Sequence, residues 1–306
     1  MQKKLACITL ACAGRRKKNE VAKAAGFGTM PRIMKLVRSI ALLVAAAGAA
    51  AATVDFPGAK PGSAKAEVTA KGATLGNKMF TATFNQRAKG ITFGGLKLAD
   101  GTEVAAAGSE LFTITLEGGK VLPASKMKAE AITLKELKSD SKAEQLGRHH
   151  AGKELSATFT APDGSFTVKW HAVLRNGSHY LRQEFDITAQ KDTTFVSLQP
   201  LEYRIKPQGA LSISGNTTHG RVVVDDAVFI GLETPMSLME IKDGNTVTGT
   251  WERKATLPAG DSWNVSSVLG FFAPQQQRRS FLAYSERERA VPYHLFVHYN
   301  DWYEGG

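Results

Sequence analysis

The strongest constraint on the fold is an alternation of apolar and polar residues running from Phe166 to Ile187. Phe166, Val168, Trp170, Ala172 and Leu174 fill every second position, Asn176-Gly177 interrupts, and Leu181, Phe185 and Ile187 resume the pattern. A side-chain period of two puts these residues on one face of a pleated strand. The Asn-Gly pair, whose members both tolerate positive φ, predicts a hairpin. Met79–Phe84 and Leu111–Leu116 repeat the alternation, and strands are expected at 193–205, 210–214, 220–224, 227–232, 245–254, 263–272 and 280–285. Turn signals spaced by about ten residues predict a large antiparallel sandwich. Only residues 127–147, rich in Lys, Glu and Ala, have helix-favouring composition, and within them Ile132–Leu134 also suits a strand.

Charge is unevenly distributed. The formal net charge is +11, but residues 1–52 hold ten Lys/Arg against the single acid Glu20, a charge of +9, which leaves +2 for 53–306. The body is nearly neutral, so a nucleic-acid partner is not expected. Lys35 and Arg38 precede the apolar Ile40–Val44 and an Ala/Gly run ending at Ala52. A basic stretch, a short apolar stretch and small residues describe a secretory signal peptide at about 30–52, with Thr53 starting the mature chain. The apolar run falls short of the roughly 20 residues that span a bilayer, so no membrane association is expected after cleavage. Both cysteines, Cys7 and Cys12, lie in this leader. The mature chain then has no thiol for disulfides, nucleophilic catalysis or zinc, which suits a secreted or periplasmic location. Residues 53–65, rich in Pro, Gly, Ser and Lys, read as a linker or frayed start.

The end of the chain differs. Pro292 is followed by Tyr293–Asn300, a near-continuous apolar run of the kind that suits a strand buried on both faces. Three segments then carry a resemblance: Trp170–Gln183 (WHAVLRNGSHYLRQ), Val228–Met236 (VFIGLETPM), and Phe281–Arg289 leading into Pro292–Tyr303 (PYHLFVHYNDWY). Over roughly residues 65–306 the chain resembles secreted bacterial glycoside hydrolases of the α-galactosidase type, some of which carry an enterotoxin label. The resemblance implies an N-terminal sandwich related to galactose mutarotase, followed by a (β/α)8 barrel. It implies that Tyr299, Asn300, Trp302 and Glu304 are a sugar-binding remnant at the end of the first barrel strand, with His298 and Tyr303 completing the pattern. The family has a small residue where Asp301 stands and Asp where Glu304 stands. Independently of the resemblance, Trp and Tyr faces stack on a pyranose ring while Asn and a carboxylate bind its hydroxyls.

A barrel needs about 250 residues, and only 14 follow Pro292. Glycoside hydrolysis requires two carboxylates flanking the scissile bond, and the resemblance places them on later barrel strands. The expected architecture is therefore mostly β: a two-layer antiparallel β-supersandwich over 66–290, with the orphan first strand of a truncated barrel at 291–306.

Other residues carry side chains capable of chemistry. Arg148-His149-His150 lacks a third ligand and reads as a solvated loop. His171, His179 and Glu233 would serve as acid and base in a mutarotase-like enzyme if the fold brought them together. Arg287-Glu288-Arg289 reads as a solvated, ion-paired connector. Trp170, Trp251 and Trp263 are expected in packing. Asn176, Asn216 and Asn264 begin N-glycosylation patterns, which arise readily by chance. The function expected first is the non-catalytic N-terminal domain of a secreted carbohydrate-active enzyme, inactive alone, with a galactoside-like glycan as partner and no cofactor or metal. The alternatives are a free-standing carbohydrate-binding module and an epimerase acting directly on a sugar.

Overall fold

The structure, a computed structural model, describes residues 54–88 and 90–291. Residues 1–53, Lys89 and 292–306 lie outside the described residues. The described residues are mostly β, in three antiparallel sheets. The first is a meander of β1 (Lys65–Thr69), β2 (Gly72–Gly76), β3 (Phe80–Gln86), β4 (Ile91–Leu98) and β5 (Glu103–Ala105). The second and largest contains β8 (Lys128–Ala129), β9 (Thr133–Leu137), β10 (Gly152–Thr160), β11 (Phe166–Arg175), β12 (Tyr180–Ala189), β14 (Ser212–Ile213), β15 (Val223–Val224), β16 (Val228–Leu232) and β19 (Ser262–Phe271). Its order is β14-β15-β16-β19-β12-β11-β10-β8, with β9 also on β10. The third is ordered β17-β18-β13-β6-β7, from β6 (Thr113–Leu116), β7 (Val121–Pro123), β13 (Thr193–Arg204), β17 (Ser237–Lys242) and β18 (Thr246–Leu257).

Two layers result. Phe84 of the first sheet meets Trp170 of the second edge-on at 4.8 Å, and Phe195 of the third meets Phe166 of the second at 5.2 Å. The two five-stranded sheets therefore face the nine-stranded one together. Their seam is stitched by the Ala105–Ile205 bridge and by the Ala106 N–H donating to the Arg204 carbonyl at 2.8 Å. Phe84, Phe159, Phe166, Trp170 and Phe195 are fully buried, and burying each such side chain stabilises the fold by roughly 2–3 kcal/mol.

The alternation between Phe166 and Ile187 does form the β11–β12 hairpin, with Val173 opposite Arg182 and Phe166 opposite Ala189. Its turn differs from the expected one. Only Gly177 takes positive φ (77°), and the Ser178 N–H donates to the Arg175 carbonyl at 3.0 Å. That is a type II arrangement, in which glycine at the third position suffices. Asn176 instead accepts the Ala64 N–H on its side-chain oxygen at 2.8 Å. Along with Gly177 N–H donating to the Gly62 carbonyl at 2.7 Å, this fastens the Pro/Gly-rich entry segment to the body.

One expected strand is reversed, and one ambiguous segment is settled as strand. Residues 280–285 are not a strand but lie in α1 (Gln277–Glu288), the one α-helix among the described residues. Its buried residues are Ser280, Ala283 and Tyr284, an i, i+3, i+4 stripe that only a helix can turn to one side. Residues 127–147 form no α-helix; they supply β8, β9 and a short 3-10 turn at Leu146–His149. Leu134 pairs opposite Leu155 along β10, so ladder hydrogen bonds and a charged edge outweigh helix propensity there.

The helix α1 covers the outer face of the large sheet near β16, β19 and β12. Tyr180, Phe229, Val268 and Tyr284 form a second, smaller apolar cluster there, with Phe281 and Phe272 packed on it. This roof explains why β16 is buried at every position and β19 from Val265 onward. Gly270 belongs to the same contact: a Cβ there would lie 2.0 Å from the Phe229 ring.

Candidate functional site

Along β12 the core-facing Leu181, Gln183, Phe185 and Ile187 alternate with Arg182, Glu184 and Asp186, which point to the outer face. The pleat therefore sets a row of charges across the sheet, and α1 closes over one end of it. Arg182 is the hub. Its Nε donates to both oxygens of Glu233, at 3.0 and 2.9 Å, and its Nη2 donates to Glu233 Oε2 at 2.6 Å. Its Nη1 reaches Glu184 at 2.9 Å and Glu288 at 3.1 Å. Glu233 also accepts the Ser266 hydroxyl at 2.6 Å and the Tyr284 hydroxyl at 2.5 Å. Glu288 accepts the Tyr180 hydroxyl and the Gln145 amide, the latter at 2.7 Å. Arg182, Glu233, Ser266, Tyr284 and Glu288 line an open cleft of about 460 Å³.

The electrostatics fit a closed network. Burial works against the Arg182 charge, but Glu233 and Glu288 outweigh it and hold its pKa above the ordinary arginine value. Burial, then the carboxylate of Glu233, pushes the Tyr284 hydroxyl far up. Burial, then Glu288, does the same to Tyr180, so both phenols stay protonated donors. Burial pushes the Glu288 carboxyl up, with Arg182 and Tyr180 opposing. Glu233 accepts five hydrogen bonds from Arg182, Ser266 and Tyr284. A carboxylate so saturated has little capacity left to take a substrate proton. Chemically, this network fastens α1 to the sheet.

A second cluster lies on the same outer face. His171 on β11 contacts Glu154 of β10 through Nδ1 at 2.9 Å and Asp186 of β12 through Nε2 at 3.4 Å. Asp186 also accepts the Asn264 amide at 2.7 Å. The hydrogen bond from His171 holds the Glu154 carboxyl below its usual range. This row spans four adjacent strands and places a histidine between two acids. His171 is 9% exposed, and it is not among the residues lining the Arg182 cleft.

His171, His179 and Glu233, the trio that a mutarotase-like enzyme would need together, do not converge. Each takes a different partner: Glu154 and Asp186 for His171, Arg182 for Glu233, and the Ser280 carbonyl for His179 at 3.0 Å. Sheet register causes the separation, since His171 stands opposite Glu184 while His179 lies in the turn beneath α1. Glu288 is not the solvated connector expected, because its side chain is only 9% exposed; Arg289 nevertheless pairs with Glu286. His149 donates Nε2–H to the Ala143 carbonyl at 2.7 Å, the carbonyl having no proton to give. Trp170 is buried, and Trp251 and Trp263 hold the Arg253 guanidinium at 4.2 and 4.1 Å. Tyr299, Asn300, Trp302 and Glu304 lie outside the described residues. Sequence reasoning overlooked Arg182, Glu154, Asp186 and Tyr284. The signal for Arg182 and Asp186 was present in the charges recurring at every second position of 182–186.

No protein-family model matches the chain, and no curated protein matches it. Among solved structures it is similar to a GH36 alpha-galactosidase from Geobacillus stearothermophilus, at 9% identity over 69% of this chain and 41% of that one, with a TM-score of 0.47. It is similar to the alpha-galactosidase from Lactobacillus brevis, at 9% identity over 70% of this chain and 41% of that one, with a TM-score of 0.48. It is also similar to an Escherichia coli K12 protein named only provisionally as an aldose 1-epimerase, at 8% identity over 68% of this chain and 99% of that one, TM-score 0.41. The chain spans less than half the length of the alpha-galactosidases it resembles. At such identities the likeness concerns backbone architecture alone.

Proposed function

We propose that this chain is a non-catalytic β-supersandwich domain of a secreted carbohydrate-active protein related to glycoside hydrolases of the α-galactosidase type. The observation that carries this reading is the saturation of the Arg182 network. The carboxylates facing the cleft, Glu233 and Glu288, are committed to Arg182, Tyr180, Tyr284, Ser266 and Gln145. The fold thus invests its best-placed acids in holding α1 against the sheet, which suits a scaffold that orients a neighbouring sugar site. The sequence pattern from Tyr299 to Glu304, downstream of α1, supports the same reading. The purified chain is expected to show no turnover of nitrophenyl α-galactosides and no heat of binding with galactose in calorimetry. Measurable turnover would overturn the proposal. Binding in isolation would replace it with the free-standing carbohydrate-binding module.

One observation favours a second reading, a sugar epimerase: His171 hydrogen-bonds the Glu154 carboxylate at 2.9 Å and lies 3.4 Å from Asp186, a histidine beside acids of the kind that acid–base chemistry on a ring oxygen uses. That reading expects the chain to accelerate the mutarotation of α-D-galactose, followed by polarimetry, and His171→Asn to abolish the acceleration. The scaffold reading expects the uncatalysed rate from both.

A further inference from the structure

His179 is an ionisable side chain sealed beneath α1. It is 2% exposed. Its ring stacks on Phe56 of the entry segment, with centroids 4.1 Å apart and planes 12° from parallel. Tyr180 of β12 and Phe229 of β16 meet it edge-on at 5.2 and 6.2 Å. From α1, the Ser280 carbonyl accepts its Nε2–H at 3.0 Å. The ring therefore sits where the helix, the entry segment and the large sheet meet, in a cage that is aromatic on three sides.

We propose that His179 makes the docking of α1 acid-labile: proton uptake by the buried imidazole releases the helix from the outer face while the sandwich beneath stays folded. A charged imidazolium in this cage loses its hydration, and the charged group acting on it from α1 is the like-charged Arg287. The Ser280 carbonyl favours the charged form, and so does the face of Phe56, and neither replaces the lost hydration. Burial accordingly holds His179 down at about 4, with Arg287 adding to the effect and Ser280 opposing it. A histidine depressed in the docked state stabilises docking above its free value of about 6.5, and that contribution fades as the pH falls toward the docked value. The other groups at this interface behave differently. Tyr180 and Tyr284, both raised, stay neutral throughout. Glu288, pushed up by burial, takes up its proton more readily when docked, so its own titration favours docking as the pH falls.

Hydrogen exchange on the full chain tests this. With rates corrected for the intrinsic pH dependence, protection of amides in 280–288 is expected to fall on the order of 100-fold between pH 7 and pH 4.5. Amides of β12 should keep theirs. In His179→Phe, which fills the cage without titrating, the loss should vanish or reverse. An equal loss in His179→Phe, or a parallel loss in β12, would overturn the proposal. NMR titration of the wild-type imidazole gives a check that needs no variant: a midpoint near 4 is expected, and a midpoint at or above 6.5 sinks it.

Discussion

Arg182→Met is expected to lower the stability of the chain by about 3–5 kcal/mol, because it leaves acids buried without their counter-charge. The side chains of Glu233 and Glu288 are 15% and 9% exposed, and Arg182 is the cation that both contact in ion pairs. Removing one partner of a buried ion network costs far more than the network contributes, since the remaining charges stay desolvated. The same logic predicts a rescue. Arg182→Met combined with Glu233→Gln and Glu288→Gln should recover most of the loss, because neutral amides need no counter-ion. Urea unfolding followed by circular dichroism measures both. A single-variant loss below about 1 kcal/mol would mean that solvent in the cleft screens these charges and that the helix is held by its apolar face alone.

Trp170→Ala should cost about 3–5 kcal/mol, the range for deleting a large aromatic from a packed core. Trp170 is fully buried against Phe84 of the facing layer. Its indole N–H also donates to the Gln183 carbonyl oxygen at 2.8 Å, and the Gln183 amide donates to the Tyr203 hydroxyl at 2.6 Å. This buried chain runs from β11 through β12 to β13, tying the large sheet to the third one. Trp170→Phe keeps most of the volume but strands the Gln183 oxygen, so a loss of about 1–3 kcal/mol is expected. The ordering matters more than either value. If Trp170→Phe were neutral, the polar chain would contribute nothing and the site would be a purely apolar contact.

Much of the fold was legible in the residue order. Phe166 to Ile187 alternates so strictly that only a strand pair buries Trp170 and Phe185 together, and the observed register pairs those two residues directly. The 193–205 and 263–272 strands were legible for the same reason. Failure came where a local pattern depends on what covers it. Phe281-Leu-Ala-Tyr284 is a short continuous apolar run that suits a strand or a helix equally, and only the sheet face beneath selects the helical stripe of Ser280, Ala283 and Tyr284. Residues 133–137 have helix-forming composition, yet β10 offers them an unpaired edge.

The candidate site divides along the same line. The charges at Arg182, Glu184 and Asp186 could be placed on one face by counting residues, since a strand's period is local and short-range. Which acid meets which base depended on the register between β10, β11 and β12 and on where α1 lands, and those are set by contacts between residues far apart in the chain. The order of amino acids alone therefore determined that this is a layered antiparallel β protein with a nearly neutral body. Tertiary structure decided that Glu233 and Glu288 meet at Arg182, that His171 and His179 take separate partners, and that the helix is locked by charge, because pairing energies across strands are felt only once the layers have packed.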